Sequence, residues 1–199
     1  MNKKIVIGLI ALLIVGAVAV RLITNNEKSN STPIPAVGTA EEQATMHEFF
    51  PNVPESNRFS IETADQIMDR FDSGTGIIFL GFKECPWCQK MAPILNEAAE
   101  AGGANIYYID IRKLNQETPD EYQALISYLV PYLPKDANGS VRISTPDISF
   151  VRNGEIIWRY EMDAVSDAER TPDEYWTEAR KERALKQFDK QIKEMRKET

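Results

Sequence analysis

The chain has 199 residues, 43% of them hydrophobic, and a formal net charge of −7; that length buries one sizeable core and leaves little room for a second domain. Setting aside Lys3, Lys4 and Arg21, the remainder carries −10, so a nucleic-acid partner, which needs clustered Lys and Arg to neutralise phosphate, is not expected. Only two cysteines are present, three positions apart, and a bridge between them closes too small a ring to staple the fold; their value is chemical.

In chain order, the first feature is the run Ile5 to Val20, free of polar side chains and preceded by Lys3 and Lys4. As a helix it reaches about 24 Å against a hydrocarbon core of about 30 Å, but Arg21 can snorkel and Leu22 and Ile23 lengthen the run. Residues 1–23 are therefore expected to be a single-pass membrane anchor with the globular part extracytoplasmic. Ala17-Val18-Ala19 also fits a small-x-small cleavage site, and the alternative is a secreted domain released near Ala19. Residues 24–40 have linker composition, rich in Ser, Thr, Asn and Pro. Residues 40–57 are poorly patterned, with room for one short helix before Pro51, so the whole of 24–57 reads as lying ahead of the domain.

From Arg58 the pattern becomes periodic. Phe59 and Ile61 predict a short strand, and Thr63 an N-cap for a helix placing Ala64, Ile67, Met68 and Phe71 on one face. Ile77 to Phe82 is a continuous run of β-formers and reads as a buried strand. Pro86 to about Ala101 predicts a helix with proline in its first turn and Gly102-Gly103 at its end. A strand over Ile106 to Ile111 and a helix over Glu117 to Val130 follow. Strands over Ile148 to Arg152 and Glu155 to Tyr160 are joined by Asn153-Gly154, a strong hairpin signal. Thr171-Pro172-Asp173-Glu174 is a capping box, predicting a long C-terminal helix over 172–197 whose end projects from the domain. The order implies an α/β fold: a mixed central sheet with helices on both faces.

The chemistry concentrates in Glu84-Cys85-Pro86-Trp87-Cys88, at the junction of the strand and the helix. There Cys85 falls at the N-cap, where unpaired N–H groups and the positive end of the dipole favour a thiolate, the nucleophilic form. Cys88, one turn on and on the same face, can attack a mixed disulfide formed at Cys85. Pro86 rigidifies the turn, and Trp87 either offers an apolar rim to a docking polypeptide or simply packs. A zinc site would need further ligands and finds only His47. Two inert buried thiols would need neither the Pro-aromatic insert nor the strand-to-helix position.

Taken with Pro93, five residues after Cys88, with Thr145-Pro146, and with Asn153-Gly154 ahead of the last strand, the C-P-W-C pair resembles the thioredoxin superfamily. The resemblance covers roughly residues 58–160. It implies a thioredoxin-like three-layer fold, a cis-proline at Pro146, a loop bringing Thr145 and Pro146 beside Cys85, and pairing of the Thr145 backbone with an extended substrate. Within the superfamily the chain resembles tethered, extracytoplasmic thioredoxin-like proteins of Gram-positive bacteria, some labelled bacteriocin transport accessory proteins.

The sequence departs from thioredoxin in three places. Phe79 stands where the family has a buried aspartate assisting proton transfer, Glu84 replaces the tryptophan before the first cysteine, and Asp147 follows the proline. Glu84 should oppose the Cys85 thiolate, with Lys83 as an offset. The stretch 112–144 is longer than the family's equivalent, which makes it either a partner-selecting insertion or a cover for the sheet edge.

The expected function is thiol-disulfide exchange on exported polypeptides, with Cys85 attacking, Cys88 resolving, and Pro86, Trp87, Thr145 and Pro146 receiving the substrate. No cofactor or metal is expected. A membrane-embedded redox partner is required if the protein acts as a reductase, and the direction stays open. The alternative is a tethered scaffold or accessory protein without redox turnover. The first sulfur is expected to protrude at the amino end of its helix.

Overall fold

The computed structural model describes residues 35–135, 138–160 and 170–197, so the expected anchor or signal segment and most of the tether lie outside the described residues. Among the described residues, no helix is long and apolar enough to cross a membrane.

Five strands form one mixed sheet in the order β1-β3-β2-β4-β5: β1 (Phe59–Ile61), β2 (Gly76–Gly81), β3 (Ile106–Asp110), β4 (Asp147–Arg152) and β5 (Glu155–Tyr160). β1 and β2 run parallel to β3, while β4 is antiparallel to β2 and β5 to β4. All six residues of β2 are buried, as an unbroken apolar run requires of a central strand covered on both sides. The β4–β5 hairpin turns on Asn153 and Gly154, both with positive φ (50° and 82°), the backbone twist that matches paired strands. A Cβ on Gly154 would also lie 2.1 Å from the Asp72 carbonyl oxygen, so only glycine fits.

Period-two alternation divides the apolar residues of β2 between two layers. Ile77 and Phe79 join a core with α1 (Ala40–Phe49), α3 (Pro86–Gly102) and α7 (Glu178–Met195), while Ile78 and Leu80 join a second core with α2 (Ala64–Ser73), α4 (Ile111–Glu117) and α5 (Pro119–Leu129). The expected α/β architecture with helices on both faces is therefore present.

Several boundaries differ from the sequence reading. Residues 40–57 belong to the domain: Thr39 and Glu42 form a reciprocal capping box that starts α1, and Met46, Phe50 and Val53 are wholly buried. The signal was missed because α1 and its exit bury only three apolar side chains, too few for a visible stripe. α1 also covers the edge of β1, with Glu42 Oε1 accepting from the Ile61 N–H at 3.0 Å. Strand β3 stops at Asp110 because that side chain accepts the Lys113 N–H at 2.8 Å and caps α4, so Ile111 opens a helix. Thr118, held out of helical geometry ahead of Pro119, separates α4 from α5.

The described part of the stretch 112–144 packs on a face of the sheet and also reaches the edge strand β5, where Arg159 donates to the Tyr132 carbonyl. Leu125, Leu129 and Leu133 are buried there, Tyr128 stacks on Phe71 at 5.7 Å, and the Tyr128 hydroxyl donates to Asp72 at 2.6 Å. The long C-terminal helix is two helices. α6 (Pro172–Tyr175) ends at Trp176, and Thr177 caps α7 by accepting the Arg180 N–H. A second N-cap residue six positions after the first restarts the helix. The end does not project: Met195 is buried, and Arg196 donates to the Gly102 carbonyl at 2.7 Å.

Phe50 packs against Phe79 and Tyr108 at centroid distances of 6.1 and 5.7 Å. Phe50→Ala is expected to cost about 3–5 kcal/mol in urea unfolding, the range for truncating a buried phenylalanine; a cost under about 1 kcal/mol would return residues 40–57 to the tether.

Candidate functional site: a dithiol at the start of a helix

β2 ends at Gly81, and Phe82-Lys83-Glu84 leads into Cys85, which is the N-cap of α3 with φ −75° and ψ 113°. Pro86 takes the first helical turn, where its missing N–H costs nothing. The Cys88 N–H donates to Cys85 Sγ at 3.2 Å, so the sulfur does the work that a serine or aspartate oxygen does at an ordinary cap. Cys88 is wholly buried. A Cβ on Gly81 would stand 3.1 Å from Cys88 Sγ, so the end of β2 backs directly onto the second thiol. Neither thiol is bonded to another.

The loop before β4 completes the site. The Thr145-Pro146 peptide is cis, and the Thr145 carbonyl oxygen lies 3.9 Å from Cys85 Sγ, bringing together two segments 60 residues apart. Asp147, next in line and buried, forms an ion pair with Arg159 of β5, whose guanidinium also donates to the Tyr132 carbonyl within the 112–144 stretch. One cation thus holds the loop to the strand on one side and to the inserted segment on the other.

The sequence-predicted residues Cys85, Cys88, Thr145 and Pro146 converge. Pro86 is exposed beside them, and Trp87 is half-buried, its ring meeting Tyr175 of α6 edge to face at 5.4 Å. Lys90 and Asp173 pair across the same junction. Trp87 therefore packs against α6 while leaving part of its face open. The first sulfur does not protrude. The Cys85 residue is only 3% exposed, lying below the surface formed by Glu84, Pro86 and the Thr145-Pro146 loop.

The two thiols are pushed in opposite directions. Hydrogen bonding from the Cys88 thiol, aided by the Cys88 and Trp87 N–H groups and opposed by burial, lowers Cys85 to about 6. Burial, the thiol's own hydrogen bond to Cys85 and the neighbouring negative charge push Cys88 far up. Arg112 of α4 sits 3.7 Å from the Glu84 carboxylate and stacks on the Phe82 ring. Lys83 lies over the Phe49 ring.

Three contributors escaped the sequence reading. Gln89 donates to the carbonyls of both Phe49 and Lys83, tying the end of α1 to the cysteine loop. Tyr108, paired in register with Phe79 across β3 and β2, lies beneath the site with its hydroxyl unpartnered. Arg112 is the third. None carries a local motif; only the tertiary path brings them in. His47 Nδ1 is 2.6 Å from the Val53 carbonyl oxygen, and among the described residues no group of three or more His, Cys, Asp or Glu side chains converges as a metal site.

No protein-family model matches the chain, and no curated protein sequence matches it.

Thiolate absorbance of the reduced protein is expected to titrate with a midpoint of about 6 and to lose that step in Cys85→Ser. Because the folded value lies below the ordinary 9.0, the unfolded chain binds the extra proton between them. The reduced protein should therefore gain stability as pH rises from about 6 towards 9 and lose that gain as pH falls through 6; flat stability across that window would contradict a lowered Cys85.

Proposed function

We propose that this domain is a thioredoxin-superfamily thiol-disulfide oxidoreductase acting on exported polypeptides from an extracytoplasmic, membrane-tethered position. The observation that carries the reading is the opposite pull on the two sulfurs at one helix start. One, capped by the Cys88 N–H at 3.2 Å and facing the Thr145 carbonyl at 3.9 Å, is favoured as a thiolate near neutral pH although covered; the other is a wholly buried, protected thiol 3 positions away. The β1-β3-β2-β4-β5 order and the cis-proline loop against Cys85 add support.

In the reducing direction the Cys85 thiolate attacks one sulfur of a substrate disulfide. That S–S bond breaks, a mixed disulfide forms at Cys85, and the departing substrate sulfur leaves as a thiolate. Cys88 then gives up its proton, which that thiolate takes, and attacks Cys85 Sγ. A Cys85–Cys88 disulfide forms, and the second substrate sulfur departs as a thiol on taking a proton from solvent. The substrate gains two electrons and the pair loses two. Run backwards, the same steps oxidise a substrate dithiol, and a membrane-embedded redox partner would reset the pair in either direction. The Thr145 backbone is suited to pairing with the extended substrate strand, with Pro86, Pro146 and the open face of Trp87 around it.

A second reading, a tethered scaffold without redox turnover, draws on one observation: the 3% exposure of Cys85, which obliges its cover to shift before a substrate sulfur can approach. The two readings separate in cells. Cys88→Ala is expected to accumulate mixed disulfides at Cys85 that disappear on reduction and in Cys85→Ala/Cys88→Ala. Absence of adducts, with full function of the double variant, would leave the scaffold.

A further inference from the structure

The pairing of β4 with its two neighbours begins at different residues. Its ladder with β2 starts at Asp147, opposite Leu80, whereas its ladder with β5 starts at Ile148, opposite Tyr160. The Thr145-Pro146 loop, which carries the Thr145 carbonyl to Cys85 Sγ, precedes both ladders, and its proline has no N–H to give to either. What holds Asp147 therefore places the loop.

Successive strand residues alternate between the faces of a sheet. Ile148 and Phe150 join the layer that holds the thiols, so Asp147 and Ser149 face the layer of α2, α4 and α5. Arg159 stands opposite Ser149 and turns to that same face, because its neighbours Trp158 and Tyr160 pack with the thiol layer. From there the guanidinium reaches diagonally back to buried Asp147, past the end of the β4–β5 ladder, and with its other terminal nitrogen donates to the Tyr132 carbonyl beyond α5. The clamp lies on the face away from Cys88 and reaches the site through the backbone of Asp147, Pro146 and Thr145. Stability alone is a poor reason for it. Arg159 Nε is buried without a hydrogen bond, and apolar residues of similar volume often replace a buried ion pair at no loss of stability. The pair adds direction, since a rigid planar fork fixes where its acceptors sit.

We propose that Arg159, acting through Asp147, is a positioning residue that sets the Thr145 backbone in place for the extended polypeptide whose disulfide Cys85 attacks. The Tyr132 carbonyl braces the guanidinium from the other side. This rests on the oxidoreductase reading and adds to it that recognition of an extended chain, as distinct from attack on its sulfur, depends on a β5 residue far from the C-P-W-C stretch.

The test follows reduction of two substrates by the full chain, with dithiothreitol restoring the Cys85–Cys88 dithiol after each turnover. One substrate, two copies of an extended peptide joined by a disulfide, offers a strand to pair with; the other, hydroxyethyl disulfide, offers none. Arg159→Met should raise the peptide KM about tenfold with kcat unchanged, and leave the rate with hydroxyethyl disulfide within about twofold. That substitution strands the buried Asp147 charge and can unfold the domain, so Arg159→Met/Asp147→Leu, which removes both partners, is measured beside it. The double variant should keep its midpoint of urea unfolding and show the same raised peptide KM. A peptide KM unchanged in the folded variants, or equal slowing of both substrates, would overturn the positioning role and leave the pair as packing. Reduction of neither substrate by the unaltered chain would overturn the oxidoreductase reading itself, and the positioning role with it.

Discussion

The domain depends on one junction: a central strand that ends in glycine and passes, within four residues, into a helix capped by a sulfur. Because Gly81 presents no side chain, the strand end approaches Cys88 Sγ closely and the helix can begin immediately above the sheet. Because Cys85 is the cap, its sulfur receives a backbone N–H that would otherwise go unsatisfied. Fold and reactivity thus share one hydrogen bond. An N-cap bond contributes on the order of 1 kcal/mol to a helix, and here the same bond favours the ionised form of the group that makes it.

Around this junction, stabilising and reactive demands are divided between the two faces of the sheet. The face bearing α1, α3 and α7 carries the thiols and an aromatic cluster of Phe50, Phe59, Phe79 and Tyr108 beneath them. Phe79 and its aromatic neighbours help bury the second thiol, and that burial keeps it neutral. The opposite face holds aliphatic packing from α2, α4 and α5 and bears no cysteine. It meets the site at its rim, where Arg112 of α4 pairs with Glu84.

What the sequence made legible follows from how local each signal is. The β4–β5 hairpin could be placed from Asn153-Gly154 alone, and α3 from Pro86 and the glycines at its end, because those residues act on their own backbone. Cys85 and Cys88 were legible as a pair for the same reason. The contact of Thr145 with Cys85 could be expected only through the family resemblance, since no periodicity links positions 60 residues apart. α1 was obscured because its cap is strong but its apolar face is thin. The break at Trp176 was obscured because Glu178 to Met195 continues the helical period, and only Thr177, an alternative cap, marks the restart. The depth of Cys85 could not be read at all: a helix start can be exposed or covered, and the covering loop arrives from elsewhere in the chain.

The Arg159 guanidinium reaches both the residue after the cis-proline and the Tyr132 carbonyl within the inserted segment. The inserted stretch is therefore joined to the loop that faces Cys85 twice, along the chain through Ser144 and across space through this one planar group. Such a linkage leaves the segment about Tyr132 less free to drift than surface segments generally are.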